Sequence, residues 1–208
     1  MSEYFHIHPD NPQHRLIMKA VEIIHSGGVV VYPTDSSYAI GCQLDNKQAA
    51  ERIRKIRQLD KQHNFTLVCR DLSEIAQYSK VDNMNYRLLK SQTPGPYTFI
   101  LPATSEVPRR LQNPKRKTIG LRIPDNLITQ ALLAELNGPL MSSTLIMPDD
   151  EFPMTDPYQI QLQLENHVDL IIDGGYSGHL PTTVIDLTED QPQVLREGLG
   201  DVDWLVRH

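Results

Sequence analysis

Several large protein classes are excluded by what this sequence lacks. It has two cysteines, Cys42 and Cys69, too few for a disulfide scaffold and too far apart for a CxxC redox or zinc pattern, so both are expected as reduced core residues. No apolar run approaches the roughly 18 residues of a bilayer-spanning helix. The opening Met1-Ser2-Glu3-Tyr4-Phe5-His6 lacks the basic-then-apolar order of a secretion signal. A cytoplasmic protein with no membrane partner is the expectation. No serine sits in a Gly-x-Ser-x-Gly elbow. His6 and His8 lie two apart near the first residue, and His63, His167 and His179 stand alone, so no metal-ligand set is read. Lysine and arginine are missing from residues 123–195, where Asp149, Asp150, Glu151, Asp156, Glu165, Asp169 and Asp173 accumulate.

What is present suits one globular domain over residues 1–208. With 39% hydrophobic and 22% charged residues in 208 positions, the chain can bury a substantial core. The net charge of −6 conceals two basic clusters in the first part of the chain. One holds Arg52, Arg54, Lys55, Arg57 and Lys61; the other holds Arg109, Arg110, Lys115, Arg116, Lys117 and Arg122. Clustered cations in an acidic protein point to a local polyanion site for nucleotide phosphates or RNA, including tRNA. The plainer reading of any one of them is a solvated helix or loop face. Oligomeric state leaves no signal in the sequence.

Periodicity predicts an amphipathic helix over 14–25 closed by Gly27-Gly28, a buried strand at 29–32, a helix over about 47–57 and a strand at 65–69. Asp82 is a cap for a helix running through Leu88 and Leu89. Strands are expected at 97–101, 118–122 and 140–147, with a helix over 127–136. Another helix begins at Thr155-Asp156-Pro157, and strands follow at 169–172, 182–187 and 193–196. These helices and strands, without an internal repeat, give an α/β fold with a mixed sheet.

Four turn groups at strand ends carry the chemical signal. They are Pro33-Thr34-Asp35-Ser36, Pro94-Gly95-Pro96-Tyr97-Thr98, residues 118–124, and Pro181-Thr182-Thr183-Val184-Ile185-Asp186. Several hydroxyls beside Arg122 suit a carboxylate- or phosphate-bearing ligand; as a structural residue, Arg122 would pair with Asp125 or Asp186. In this order the groups resemble the YrdC/YciO family. Gly27-Gly28-Val29-Val30-Val31-Tyr32-Pro33-Thr34-Asp35-Ser36 is similar to its opening strand and "PTD/ET" loop. Residues 94–101 resemble "PGPxTxxL", and residues 118–125 resemble "TxxxRxPD". Asp173-Gly174-Gly175 with 181–186 resembles "DGG…PSTVVD", and Leu195-Arg196-Glu197-Gly198 resembles "LRxG". The resemblance spans about residues 14–200.

It implies a twisted mixed sheet with flanking helices, of the YrdC/RibB-like type. It also implies synthesis of threonylcarbamoyl-AMP from L-threonine, bicarbonate and ATP with Mg²⁺, for tRNA modification. Carried over by position, Ser36, Arg122, Ser142 and Thr182 would surround threonine, and Thr118, Thr144 and Arg196 would face the nucleotide. The basic face is associated with double-stranded RNA in this family. Two family pairs are altered. The Lys-x-Arg pair falls on Arg57-Gln58-Leu59, and the Ser-x-Asn pair falls on Thr144-Leu145-Ile146. Arg57 and Thr144 remain as the candidate catalytic residues. Loss of a charged contact to a phosphate removes about 10²–10³ in rate. The altered pairs, together with Phe5-His6-Ile7-His8-Pro9, resemble the YciO branch. A nucleotide- or RNA-binding protein without turnover stands beside the synthase reading, as does an enzyme acting on another carboxylated, adenylated substrate.

Overall fold

Strand alternation divides the core between the two faces of one sheet. The computed structural model describes residues 1–207. In chain order the elements are β1 (Glu3–His6), α1 (His14–His25), β2 (Val30–Tyr32), β3 (Ala39–Gln43), α2 (Lys47–Arg57), β4 (Thr66–Val68), α3 (Leu72–Tyr78), α4 (Asn83–Gln92) and β5 (Tyr97–Pro102). They continue as β6 (Thr118–Arg122), α5 (Leu127–Leu136), β7 (Leu140–Thr144), α6 (Pro157–Leu164), β8 (Leu170–Asp173), β9 (Thr183–Asp186) and β10 (Gln193–Arg196). Short 3-10 turns lie at Arg109–Leu111 and Asp203–Arg207. All ten strands form one sheet in the order β1-β8-β2-β3-β7-β4-β6-β5-β9-β10. β1/β8, β2/β8, β4/β6 and β5/β9 are parallel, and the remaining neighbours are antiparallel.

Because side chains alternate across a strand, Val30 and Tyr32 pack with α1 and α5, while Val29 and Val31 pack on the other face, where α2 lies. α1 contributes Ile17, Ala20, Val21 and Ile24 to its face, and α5 contributes Ile128, Leu132, Leu133 and Leu136. The opposite face receives Ala49, Ala50 and Ile53 of α2, Ile75 and Leu89 of α3 and α4, and Ile160 and Leu164 of α6. The α1/α5 cluster takes Leu140 of β7 and Val68 of β4. The residues of the same parity two steps along, Ser142 and Thr66, pair with each other and continue this face beyond the helices. That uncovered stretch of sheet becomes the floor of the cleft.

The expected mixed sheet is present, with more elements than periodicity predicted. β1 was not expected: its four residues pair in parallel with β8, burying Phe5. α3 was not expected either. It is held at its start by Asp71, whose side chain accepts from Glu74 N at 2.9 Å, while Glu74 Oε1 accepts from Arg70 N at 3.0 Å, a reciprocal arrangement akin to a capping box. The strand expected over 140–147 ends at Thr144, where Ile146 N donates to Thr144 O at 2.9 Å and the chain turns. Cys42 and Cys69 are buried free thiols, as expected, and burial pushes both pKa values up. Among the described residues no helix is long and apolar enough to cross a membrane.

Candidate active site

β6 carries Arg122 at its end, on the same face as Thr118 and Gly120. The loop after β2 is fixed beneath it. Thr34 Oγ1 accepts from Ser36 N and Ser37 N, each at 3.2 Å, and donates to Ser37 O at 2.6 Å. Thr129 Oγ1 of α5 donates to Pro33 O at 2.7 Å. This presents the Asp35 carboxylate to two partners: it forms an ion pair with Arg122 and accepts from Asp125 N at 2.9 Å. Arg122 Nη1 also donates to Ser36 Oγ at 3.3 Å. Arg122 is only 7% exposed, and its Nε has no hydrogen-bond partner. Burial pulls its pKa down while Asp35 opposes that shift, and a guanidinium stays charged through such a change. The buried cation is therefore paired on one side and has hydrogen-bonding capacity left over. The expected structural partners of Arg122 are not its partners here. Asp125 contributes only its backbone N–H to Asp35, and Asp186 pairs with Arg116 at 2.8 Å.

Beyond Arg122 a cavity of about 400 Å³ opens over the floor. Its lining includes Thr118, Ser142, Thr144, Thr182 and Arg196. The Thr98 and Thr182 hydroxyls are 2.8 Å apart. Arg196 donates from Nε to Thr182 O at 3.0 Å and from Nη2 to Thr182 Oγ1 at 3.2 Å. Ser142 Oγ is hydrogen-bonded to Tyr32 OH, whose pKa is pushed up to about 12 chiefly by burial. Gly41 lies under this pair: a Cβ there would stand 2.6 Å from Ser142 Oγ. Glycine thus lets β3 approach the hydroxyl.

At the rim, α2 ends with Gln58 in the left-handed conformation (φ 52°). Gln58 N donates to Lys55 O at 3.2 Å and Leu59 N to Arg54 O at 2.9 Å, the paired bonds of a Schellman motif. Leu59 packs against the hydrophobic core and does not line the cavity. Arg57 does line it, but is tethered: Nε donates to Ile146 O at 2.9 Å, and Nη1 donates to Ser143 Oγ. His63 Nε2 lies 3.2 Å from the same Ser143 Oγ. Burial, then the charges of Arg57 and Arg54, push the His63 pKa down.

The structure thus gathers Arg57, Thr118, Arg122, Ser142, Thr144, Thr182 and Arg196 around one cavity, with Ser36 behind Arg122. The basic clusters fare differently. Arg52 pairs with Asp169 at 2.7 Å, and Arg54 lies over the Phe65 ring at 4.6 Å. Arg110 donates to Leu44 O at 2.9 Å, and Arg116 is paired with Asp186. Lys55, Arg109, Lys115 and Lys117 are exposed. Sequence reasoning did not single out Asp35, Tyr32 or Ser143 as site residues. Asp35 had a signal in its turn motif; the other two become visible only once β2 and β7 are placed on the sheet.

The family model for Sua5, YciO and YrdC proteins, described as telomere recombination, matches residues 22–198. The YciO protein of Escherichia coli K12 is 62% identical over 202 residues, 97% of this chain and 98% of its own length. Its crystal structure gives a TM-score of 0.94 over 98% of both chains. A threonylcarbamoyl-AMP synthase of Vibrio vulnificus YJ016 is 28% identical over 186 residues, 88% of this chain and 98% of that one. The fold also matches P. abyssi Sua5 complexed with L-threonine, with a TM-score of 0.87 and 24% identity over 95% of this chain and 58% of that protein. With its cleft built on the motif residues and its family model covering most of its length, the chain belongs to the Sua5/YciO/YrdC family.

Proposed function

We propose that the cleft activates a carbamoylated amino acid with ATP: L-threonine and bicarbonate give the carbamate, which attacks the α-phosphate and displaces pyrophosphate. The observation that carries this reading is the buried Arg122 guanidinium, with an unpartnered Nε and a position in the cavity wall. A planar donor fork in a site of small-ligand size is suited to a carboxylate. Ser36, Ser142 and Thr182 supply hydroxyls around it, and Thr118, Thr144 and Arg196 lie along the cavity as partners for the nucleotide. Among the described residues no group of three or more His, Cys, Asp or Glu is arranged to hold a metal. Mg²⁺ therefore enters this reading on the phosphates, whose charge it neutralises.

Catalysis in this reading is positioning plus electrostatics. The tether on Arg57 weakens the second of these, so turnover is expected to be slow. The product is suited to tRNA modification. A second reading, RNA binding without turnover, rests on the exposed Lys55, Arg109, Lys115 and Lys117 and predicts a steep salt dependence of RNA affinity.

Calorimetric titration of L-threonine in the presence of ATP and Mg²⁺ tests the carboxylate assignment. Saturable binding is expected, with Arg122→Lys weakening it by about 10–100-fold, the equivalent of one charged hydrogen bond of roughly 1.5–3 kcal/mol. Absence of binding at millimolar threonine, or an unchanged affinity in a folded Arg122→Lys variant, contradicts it.

A further inference from the structure

Forming a carbamate requires something to receive a proton. An amino acid arrives as its ammonium form, and the net step is R–NH₃⁺ + HCO₃⁻ → R–NHCOO⁻ + H₂O + H⁺. The N–C bond forms, the C–OH bond of bicarbonate breaks with that oxygen leaving as water, and one proton is left over. Carboxylates are poorly placed to take it: Asp35 is committed to Arg122 and to Asp125 N. Tyr32 and the threonines and serines of the floor are far too weakly acidic to serve as a proton buffer near neutral pH.

His63 has the required geometry. It lines the cavity, and its ring is held by two contacts, with Nε2 3.2 Å from Ser143 Oγ and an edge-on packing against Phe65 at 5.5 Å between centroids. Ser143 lies on the opposite face of β7 from Ser142 and Thr144 and is itself fixed by Arg57 Nη1. In the tautomer whose Nε2–H donates to Ser143 Oγ, the lone pair of Nδ1 is free to take a proton. We infer that His63 is the proton acceptor of this cleft, taking the proton released when the substrate nitrogen adds to the carbon of bicarbonate. This rests on the proposed carbamate-forming reaction.

The surroundings fit an acceptor that passes its proton on. Arg57 and Arg54 of α2 face the ring and disfavour the imidazolium, whereas the Asp60 carboxylate of the following loop favours it. Burial and the two arginines prevail, so the resting ring is neutral at pH 7 and a captured proton is readily lost to solvent. The sign is therefore fixed. Activity requires the neutral ring and falls as pH drops through a value below the ordinary imidazole range of about 6.5.

The test is pyrophosphate release from pH 5 to 9 by the full chain and by His63→Asn and His63→Ala, with L-threonine, bicarbonate, ATP and Mg²⁺. The expected result is an acidic limb in the parent protein that is absent in His63→Asn. The variant should lose about 10²-fold in kcat with KM for ATP changed less than about threefold, and added imidazole should restore part of the rate of His63→Ala. A folded His63→Asn with unchanged kcat and the same acidic limb overturns the assignment alone. A silent parent protein at every pH overturns the carbamate reading and the assignment with it. A proportional fall in rate at all pH values without imidazole rescue assigns His63 a structural role and also overturns it.

Discussion

Asp35 and Arg122 are each about nine-tenths buried, and the backbone of Asp125 holds the carboxylate in place. Removing one partner of such a pair leaves a buried charge without compensation, which costs about 3–5 kcal/mol. Asp35→Ala is therefore expected to lower the free energy of urea unfolding by an amount in that range, far more than a surface aspartate such as Asp190 would. A loss below about 1 kcal/mol would mean that Arg122 is not held by Asp35. The sequence announced that Arg122 matters but not its partner. Asp125 and Asp186 were the nearer candidates by motif, yet Asp186 is occupied. Burial alone would raise its pKa, but the Thr188 hydroxyl and N–H and the Arg116 guanidinium hold it below the usual carboxylate value. Which acid meets a given arginine depends on loop placement, and that information is spread over Thr34, Pro33 and α5 rather than written beside Arg122.

Element boundaries explain how this branch differs from the synthase pattern. The resemblance places a family arginine at Leu59. In the fold, Leu59 closes the Schellman turn of α2 and packs on the core, outside the cavity lining. Leu59→Arg is accordingly expected to destabilise by about 1–2 kcal/mol, since Leu59 is only half-buried and full burial of a leucine contributes about 1.5–3 kcal/mol, and to leave pyrophosphate release unimproved. A tenfold gain in rate without loss of stability would show that residue 59 reaches the phosphates.

The long helices were legible because α1 and α2 show one apolar stripe each between clear stops. α3 was not, although Asp71 and Glu74 have cap spacing. Seven residues with only Glu74 and Ile75 buried show no periodicity to read. β1 was missed for a related reason: four residues at an edge alternate too briefly, and a parallel partner 167 positions away at Leu170 leaves no local trace.

At the scale of the whole molecule, the site is a consequence of incomplete coverage. Helices α1 and α5 cover one end of a sheet face, and the same face then continues bare through Ser142, Thr66 and Gly120. The residues that line it come from the ends of chain-distant strands, brought together by crossovers that place β7 between β3 and β4 and β9 beside β5. The motif order showed that these residues belonged together, but which face they shared required the register. The α1/α5 core and the cleft are parts of one face, so a ligand bound in the cleft adds contacts only to the folded state and raises apparent stability by mass action.

The most direct test of the synthase reading is pyrophosphate release by the purified chain from ATP and Mg²⁺, with L-threonine and bicarbonate added separately and together. The account predicts slow release that requires both, well below the rate of a synthase with intact Lys-x-Arg and Ser-x-Asn pairs. No release with both present, while that synthase turns over under the same conditions, would contradict it.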